Sequence, residues 1–166
     1  TVPINKETTS TEINWDEMPD LNNIGNFPFI TAPTGLAIAN EKDGVSEFFD
    51  YETMQNYIGS TIYTTQGKLG ILDFEGEGDK DFNQKLFDKS VYDYLDKIGA
   101  KKIYQGNFPE DENDKAKLEK NMWSGKHGTK GLLRESDSPF AVYAFNLYKY
   151  YNKFFEKCQI FLTSPT

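Results

Sequence analysis

Carboxylates alternate with other residues along Asp73-Phe74-Glu75-Gly76-Glu77-Gly78-Asp79-Lys80-Asp81, the closest approach to a chemical motif in the chain. Oxygen donors at every second position, with a glycine at the sixth, are how a calcium loop turns its side chains into one cavity. Asp73, Glu75, Glu77, Asp79 and Asp81 are therefore the candidate ligands, and calcium is the one cofactor at which the chain hints. The pattern lapses at the twelfth position, where Gln84 stands in place of a bidentate Glu. No helix is expected to enter the loop, because the preceding residues read as strand. The simpler reading is an acidic strand-to-helix connection whose carboxylates favour the positive end of a helix dipole. A second acidic run, Glu110-Asp111-Glu112-Asn113-Asp114, reads as the capping and solvation of a helix start.

Nucleophilic chemistry finds little material. The one histidine, His127, lies between Lys126 and Gly128 in a glycine-rich stretch, and the one cysteine is Cys158. A dyad between them needs a fold that joins them, and nothing in their spacing requires it. No nucleophile elbow, phosphate loop or dinucleotide fingerprint is present. One Cys and one His cannot complete a structural zinc site. Cys158 falls in the alternating run Cys158-Gln159-Ile160-Phe161-Leu162, which reads as a buried thiol, with reactivity or pairing between chains as the alternative. The expectation is a protein without catalytic residues.

Recognition chemistry is better supplied. Tyr148, Tyr150, Tyr151, Phe154 and Phe155 crowd near the C-terminus with Lys149, Lys153 and Lys157 among them. Exposed rings beside cations can hold a peptide, a glycan or a protein partner. The same rings can equally serve as core. With 13 Phe and 10 Tyr, aromatic side chains must fill volume that Leu and Val fill elsewhere.

Composition narrows the partners. The net charge is −8, from 26 acidic and 18 basic residues. Such a balance opposes nucleic-acid binding, which needs a basic surface to release counterions. It leaves no polybasic patch for anionic lipid. No segment reaches the ~20 apolar residues of a membrane helix. The chain starts at Thr1, so a preceding signal peptide or lipidated cysteine stays open.

These residues must be positioned by elements that the periodicity outlines. Residues 1–26 are polar and aperiodic, which reads as an N-terminal tail or tether or, equally, as an arm packed through Trp15. Residues 27–166 form the expected single domain. Residues 30–39 read as loop or short edge strand between prolines, and Asp43-Gly44 as a turn. Strands are expected near 47–51, 60–65 and 69–74, with a tight turn at Gln66-Gly67-Lys68. The strand at 69–74, apolar on both faces, is a candidate for the centre of a sheet.

Phe82, Leu86, Phe87, Val91, Tyr94, Leu95 and Ile98 make one helical stripe over residues 80–98, capped by Asp79 or Asp81 and stopped at Gly99. A strand at 101–105, a helix at 113–123 and strands at 139–145 and 157–163 follow. The segment between the last two suits a long hairpin turning near Tyr151-Asn152, or a helical turn. The fold class is α+β, a mostly antiparallel sheet with one long helix and one shorter helix packed on one face. Leu86, Val91, Leu95 and Ile98 are expected to pack onto Ile71, Ile103, Val142 and Ile160, each burial stabilising by about 2 kcal/mol.

Several segments share an order with a known module. They are residues 27–36, Glu41-Lys42-Asp43-Gly44, Phe48-Phe49-Asp50-Tyr51, Gly67-Lys68, residues 94–106 and Ala141-Val142-Tyr143-Ala144. This order resembles the periplasmic module that precedes the peptidoglycan-binding domain in some OmpA-type outer-membrane proteins. The resemblance spans about residues 25–163. It implies a β-rich module with a helix, located in the periplasm or at the outer membrane of a Gram-negative bacterium, free or lipid-anchored. It brings no catalytic residue, and the peptidoglycan-binding domain itself has no counterpart here. The functional expectation is a non-enzymatic envelope module that binds a protein or cell-wall component. Two alternatives stand beside it: an acidic inhibitor or immunity-type protein that plugs a basic partner, and a calcium-responsive module.

Overall fold

The computed structural model describes residues 10–11, 13–22, 24–58, 61–107, 110–121, 127–128, 139–149 and 154–163. In chain order the strands are β1 (Ser10–Thr11), β2 (Asp20–Leu21), β3 (Leu36–Ile38), β4 (Glu47–Ile58), β5 (Thr61–Ile71), β6 (Phe74–Gly76), β7 (Lys101–Asn107), β8 (His127–Gly128), β9 (Pro139–Lys149) and β10 (Phe154–Thr163). A main helix lies between β6 and β7, and a second helix, Glu112–Asn121, follows β7. The molecule is mixed α and β with mostly antiparallel sheets. Among the described residues no helix is long and apolar enough to cross a membrane.

β9 is the spine. β10 runs antiparallel along one edge, from Phe154 opposite Lys149 to Thr163 opposite Phe140. β7 runs antiparallel along the other edge, and β2 continues that edge in parallel at Asn146 and Leu147. Both faces of β9 are covered as well, and Phe140, Ala141, Val142, Tyr143, Ala144 and Phe145 have no exposed surface. Such a strand must be apolar on both faces, as residues 139–145 are.

One face of this sheet carries the main helix. Ala141, Tyr143, Phe145 and Leu147 alternate onto that face and pack with Phe87, Val91 and Leu95 of the helix and with Cys158 and Leu162 of β10. Leu86, Ile98 and Ile160 join this core from its margin, as their spacing predicts. Three expected partners lie elsewhere. Val142 is out of phase with Tyr143 and faces away, Ile103 belongs to a second cluster around Ala144, and Ile71 ends β5 in a different sheet. Side chains alternate along a strand, so a one-residue error in phase exchanges the faces.

The helix runs continuously over 15 residues, 84–98. It passes through an α turn at Gln84–Phe87, a wider π segment at Asp88–Tyr92 and a last α stretch at Asp93–Ile98. Its cap is Asn83 rather than Asp79 or Asp81, the amide oxygen accepting from the Leu86 N–H at 3.1 Å. Its stop is the expected Gly99, at φ 91°. There the Gly99 N–H donates to the Asp96 carbonyl and the Ala100 N–H to the Leu95 carbonyl, which closes the last turn. The second helix is capped by Asp111, whose carboxylate accepts from the N–H groups of Asn113 and Asp114. None of its described side chains joins the core under the main helix. The expected pair of helices on one face is thus replaced by a single one.

A second sheet is built on the β4–β5 hairpin, flanked by β1 parallel to β5 and β8 parallel to β4. β5 runs unbroken through Gln66-Gly67-Lys68, where the composition predicts a turn. The irregularity lies across the ladder instead, where the register shifts between Phe49 and Glu52, and Gly67 takes φ 148° opposite it. A glycine inside a strand can mark a bulge as readily as a turn. The strand expected at 69–74 is consequently the end of β5, then Leu72-Asp73, then β6, which pairs with β3 in a small ribbon. The Asp43-Gly44 turn is as expected, bridging Lys42 to Val45.

The described part of the N-terminal segment is an arm, not a tether. Ile13 and Met18 are buried against Ala144, with Trp15, Tyr63 and Ile103 around them. The Asn146 side-chain amide donates to the Trp15 carbonyl at 2.9 Å, and its backbone N–H to the Pro19 carbonyl at 2.8 Å.

Candidate binding site

The acidic run lies on the surface, around β6 and ahead of the main helix. Asp73, Glu75, Glu77, Asp79 and Asp81 are all exposed, and among the described residues no group of three His, Cys, Asp or Glu side chains is arranged to hold a metal ion. Glu75 lies in β6 opposite Ala37. Glu77 ties two loops together. Its carboxylate accepts from the Gly35 N–H at 2.9 Å, while its own N–H donates to the Gly35 carbonyl. Of the five, only Glu75 lies in a strand; Asp73, Glu77, Asp79 and Asp81 lie in the flanking connections.

His127 and Cys158 fall in different sheets, on β8 and β10. Cys158 is buried in the main core. The aromatic hairpin forms as expected, with Phe155 opposite Tyr148 and Phe154 opposite Lys149. Tyr148 is 37% exposed. Tyr150 and Tyr151, and the side chains of Phe154 and Phe155, lie outside the described residues.

A tie between helix and sheet sits beneath the main helix. The Tyr143 hydroxyl donates to the Asp96 carboxylate at 3.2 Å, and the Lys102 ammonium stands 5.7 Å from the Tyr143 ring and 6.0 Å from that of Tyr92. Burial first, and the Asp96 carboxylate second, raise the Tyr143 hydroxyl above the ordinary tyrosine range. Burial and Asp88 raise Tyr92 in the same sense.

One recess among the described residues lies around Phe27 and Phe48. Phe27, Lys42, Asp43, Val45, Ser46, Glu47 and Phe48 line a cavity of about 530 Å³ with a mainly apolar wall. That volume falls within the range of small-ligand sites. The Phe27 and Phe48 rings meet edge to face at 6.0 Å between centroids. Phe27 is held from behind by Phe29 at 6.1 Å, and Phe29 by Phe145 of β9 at 5.6 Å. The wall is thereby braced on the buried spine. A glycine makes the brace fit, because a Cβ at Gly70 would come within 2.8 Å of Phe27 Cζ and 3.1 Å of Val45 Cγ1.

Phe48 remains 48% exposed, and Tyr51, three residues on along β4, is 71% exposed with its hydroxyl bonded to Gln66. The sequence singles out the C-terminal rings and passes over these. The signal present is the adjacent pair Phe48-Phe49, since a strand cannot bury two consecutive rings on one face. No family model, curated protein or solved structure matches the chain.

Proposed function

We propose that the chain is a non-enzymatic binding module of the bacterial cell envelope, periplasmic or lipid-anchored, whose ligand is a protein or cell-wall component. The observation that carries the binding reading is the braced recess at Phe27 and Phe48, an apolar wall left open to solvent. Exposed Tyr148 on the hairpin supports a second contact point. The envelope location rests on the resemblance of residues 27–36, 41–44, 48–51, 67–68, 94–106 and 141–144 to the periplasmic module of OmpA-type proteins.

The net charge of −8 favours a second reading, an inhibitor or immunity-type plug for a basic protein. One experiment separates the two. The purified chain is used to capture partners from envelope and soluble fractions of the source cell. Recovery of an envelope protein or cell-wall fragment supports the first reading. Recovery of a single basic soluble protein, released by high salt, supports the second, and recovery of neither from any fraction rejects both.

A further inference from the structure

The lining of the recess specifies the kind of group it would receive. Phe27 and Phe48 supply ring faces, and Val45, 5% exposed, supplies an aliphatic surface beside them. A ring face carries negative potential and attracts cations. The cluster already displays this preference, because the Lys68 ammonium stands 5.5 Å from the centre of the Phe27 ring. Two exposed carboxylates, Asp43 and Glu47, share the lining with one ammonium, Lys42. Asp50 adds a further carboxylate on β4, and the whole chain carries −8.

Resting on the binding-module reading, we propose that this recess receives an arginine or lysine side chain from a basic partner protein. The alkyl stem would lie along Val45 and Phe48, and the charged head would meet the Phe48 face with Asp43 and Glu47. Long cationic side chains are built for such a site, with an apolar stem and a polar end. A volume of about 530 Å³ admits one such side chain with part of its flanking backbone. A purely apolar group would strip water from Asp43 and Glu47 without return.

The test is an amide chemical-shift titration of the intact chain with two short peptides that are identical except for a central arginine or its neutral isostere citrulline. The arginine peptide should move the Val45, Ser46, Glu47, Phe48 and Gly70 resonances saturably, and the citrulline peptide should bind about fivefold more weakly. Phe48→Ala should weaken the arginine peptide about three- to fivefold. The double variant Asp43→Asn with Glu47→Gln, at exposed positions where folding is not at stake, should do the same and flatten the salt dependence.

Equal binding of the two peptides, shifts confined to other regions, or no saturable shift with either would overturn the proposal. Partner capture separates this inference from the module reading. A partner still captured by the Phe48→Ala chain removes the recess from the interface and leaves the module standing. Arginine-specific shifts without any captured envelope partner keep the recess and remove the envelope assignment.

Discussion

Tyr143 shows how much a single hydroxyl can report. Its ring has no exposed surface, and its O–H ends on Asp96. The unfolded chain releases a tyrosine proton near pH 10, whereas the folded chain releases this one only at higher pH. The resulting stabilisation is complete below about pH 10 and is lost as pH rises through the folded value. Tyr143→Phe should therefore make the alkaline decline in stability shallower, while costing about 1 kcal/mol at neutral pH through the lost hydrogen bond. Urea midpoints collected from neutral to about pH 11 would show it, and an unchanged alkaline slope would assign the effect to another group.

Gly70 is the residue-scale counterpart at the recess. Gly70→Ala forces the Phe27 ring and Val45 apart. It should lower stability by about 1–3 kcal/mol, readable as a falling melting temperature. Neither Gly70 nor the outward ring of the Phe48-Phe49 pair is legible in the sequence. A glycine inside a strand has many causes, and the register shift beside Phe49 decides which rings turn out.

At the scale of elements, legibility follows locality. The main helix, its Gly99 stop, the Asp43-Gly44 turn and the β9–β10 hairpin are all readable, because each is written in residues close together in the chain. β5 is misread because Gly67 looks like a turn until its opposing bulge is seen. The N-terminal arm is not readable by period at all. It holds two-residue strands, and its partners lie far along the chain, 52 positions away for β1 on β5 and 131 for Trp15 on Asn146.

Two substitutions weigh these elements. Leu95→Ala, at a helix position with no exposed surface, should cost about 2–5 kcal/mol in chemical denaturation. Ile13→Ala, at 5% exposure, should cost about 2–4 kcal/mol. A tether would register no cost at Ile13, so an unchanged midpoint would contradict the packed arm.

The whole molecule is acidic, with a net charge of −8. Glu77 is held on Gly35, and Asp111 on the start of the second helix. Millimolar calcium should accordingly leave the melting temperature where it is. A clear rise would mean that residues 73–81 converge on binding, by the linkage that any native-state ligand obeys. The surface charge has a different reach. It should make association with a basic partner fast at low salt and slow at high salt, while the dissociation rate changes little.

The arm also sets an order of events. Trp15 and Met18 place their carbonyls on the Asn146 side chain, 131 and 128 positions further along. On a ribosome the arm emerges before β9, yet the Asn146 contacts that hold it form only after β9 has been made. Until then Ile13 and Met18 lack the Ala144 surface that buries them, and stay open to whatever meets the nascent chain.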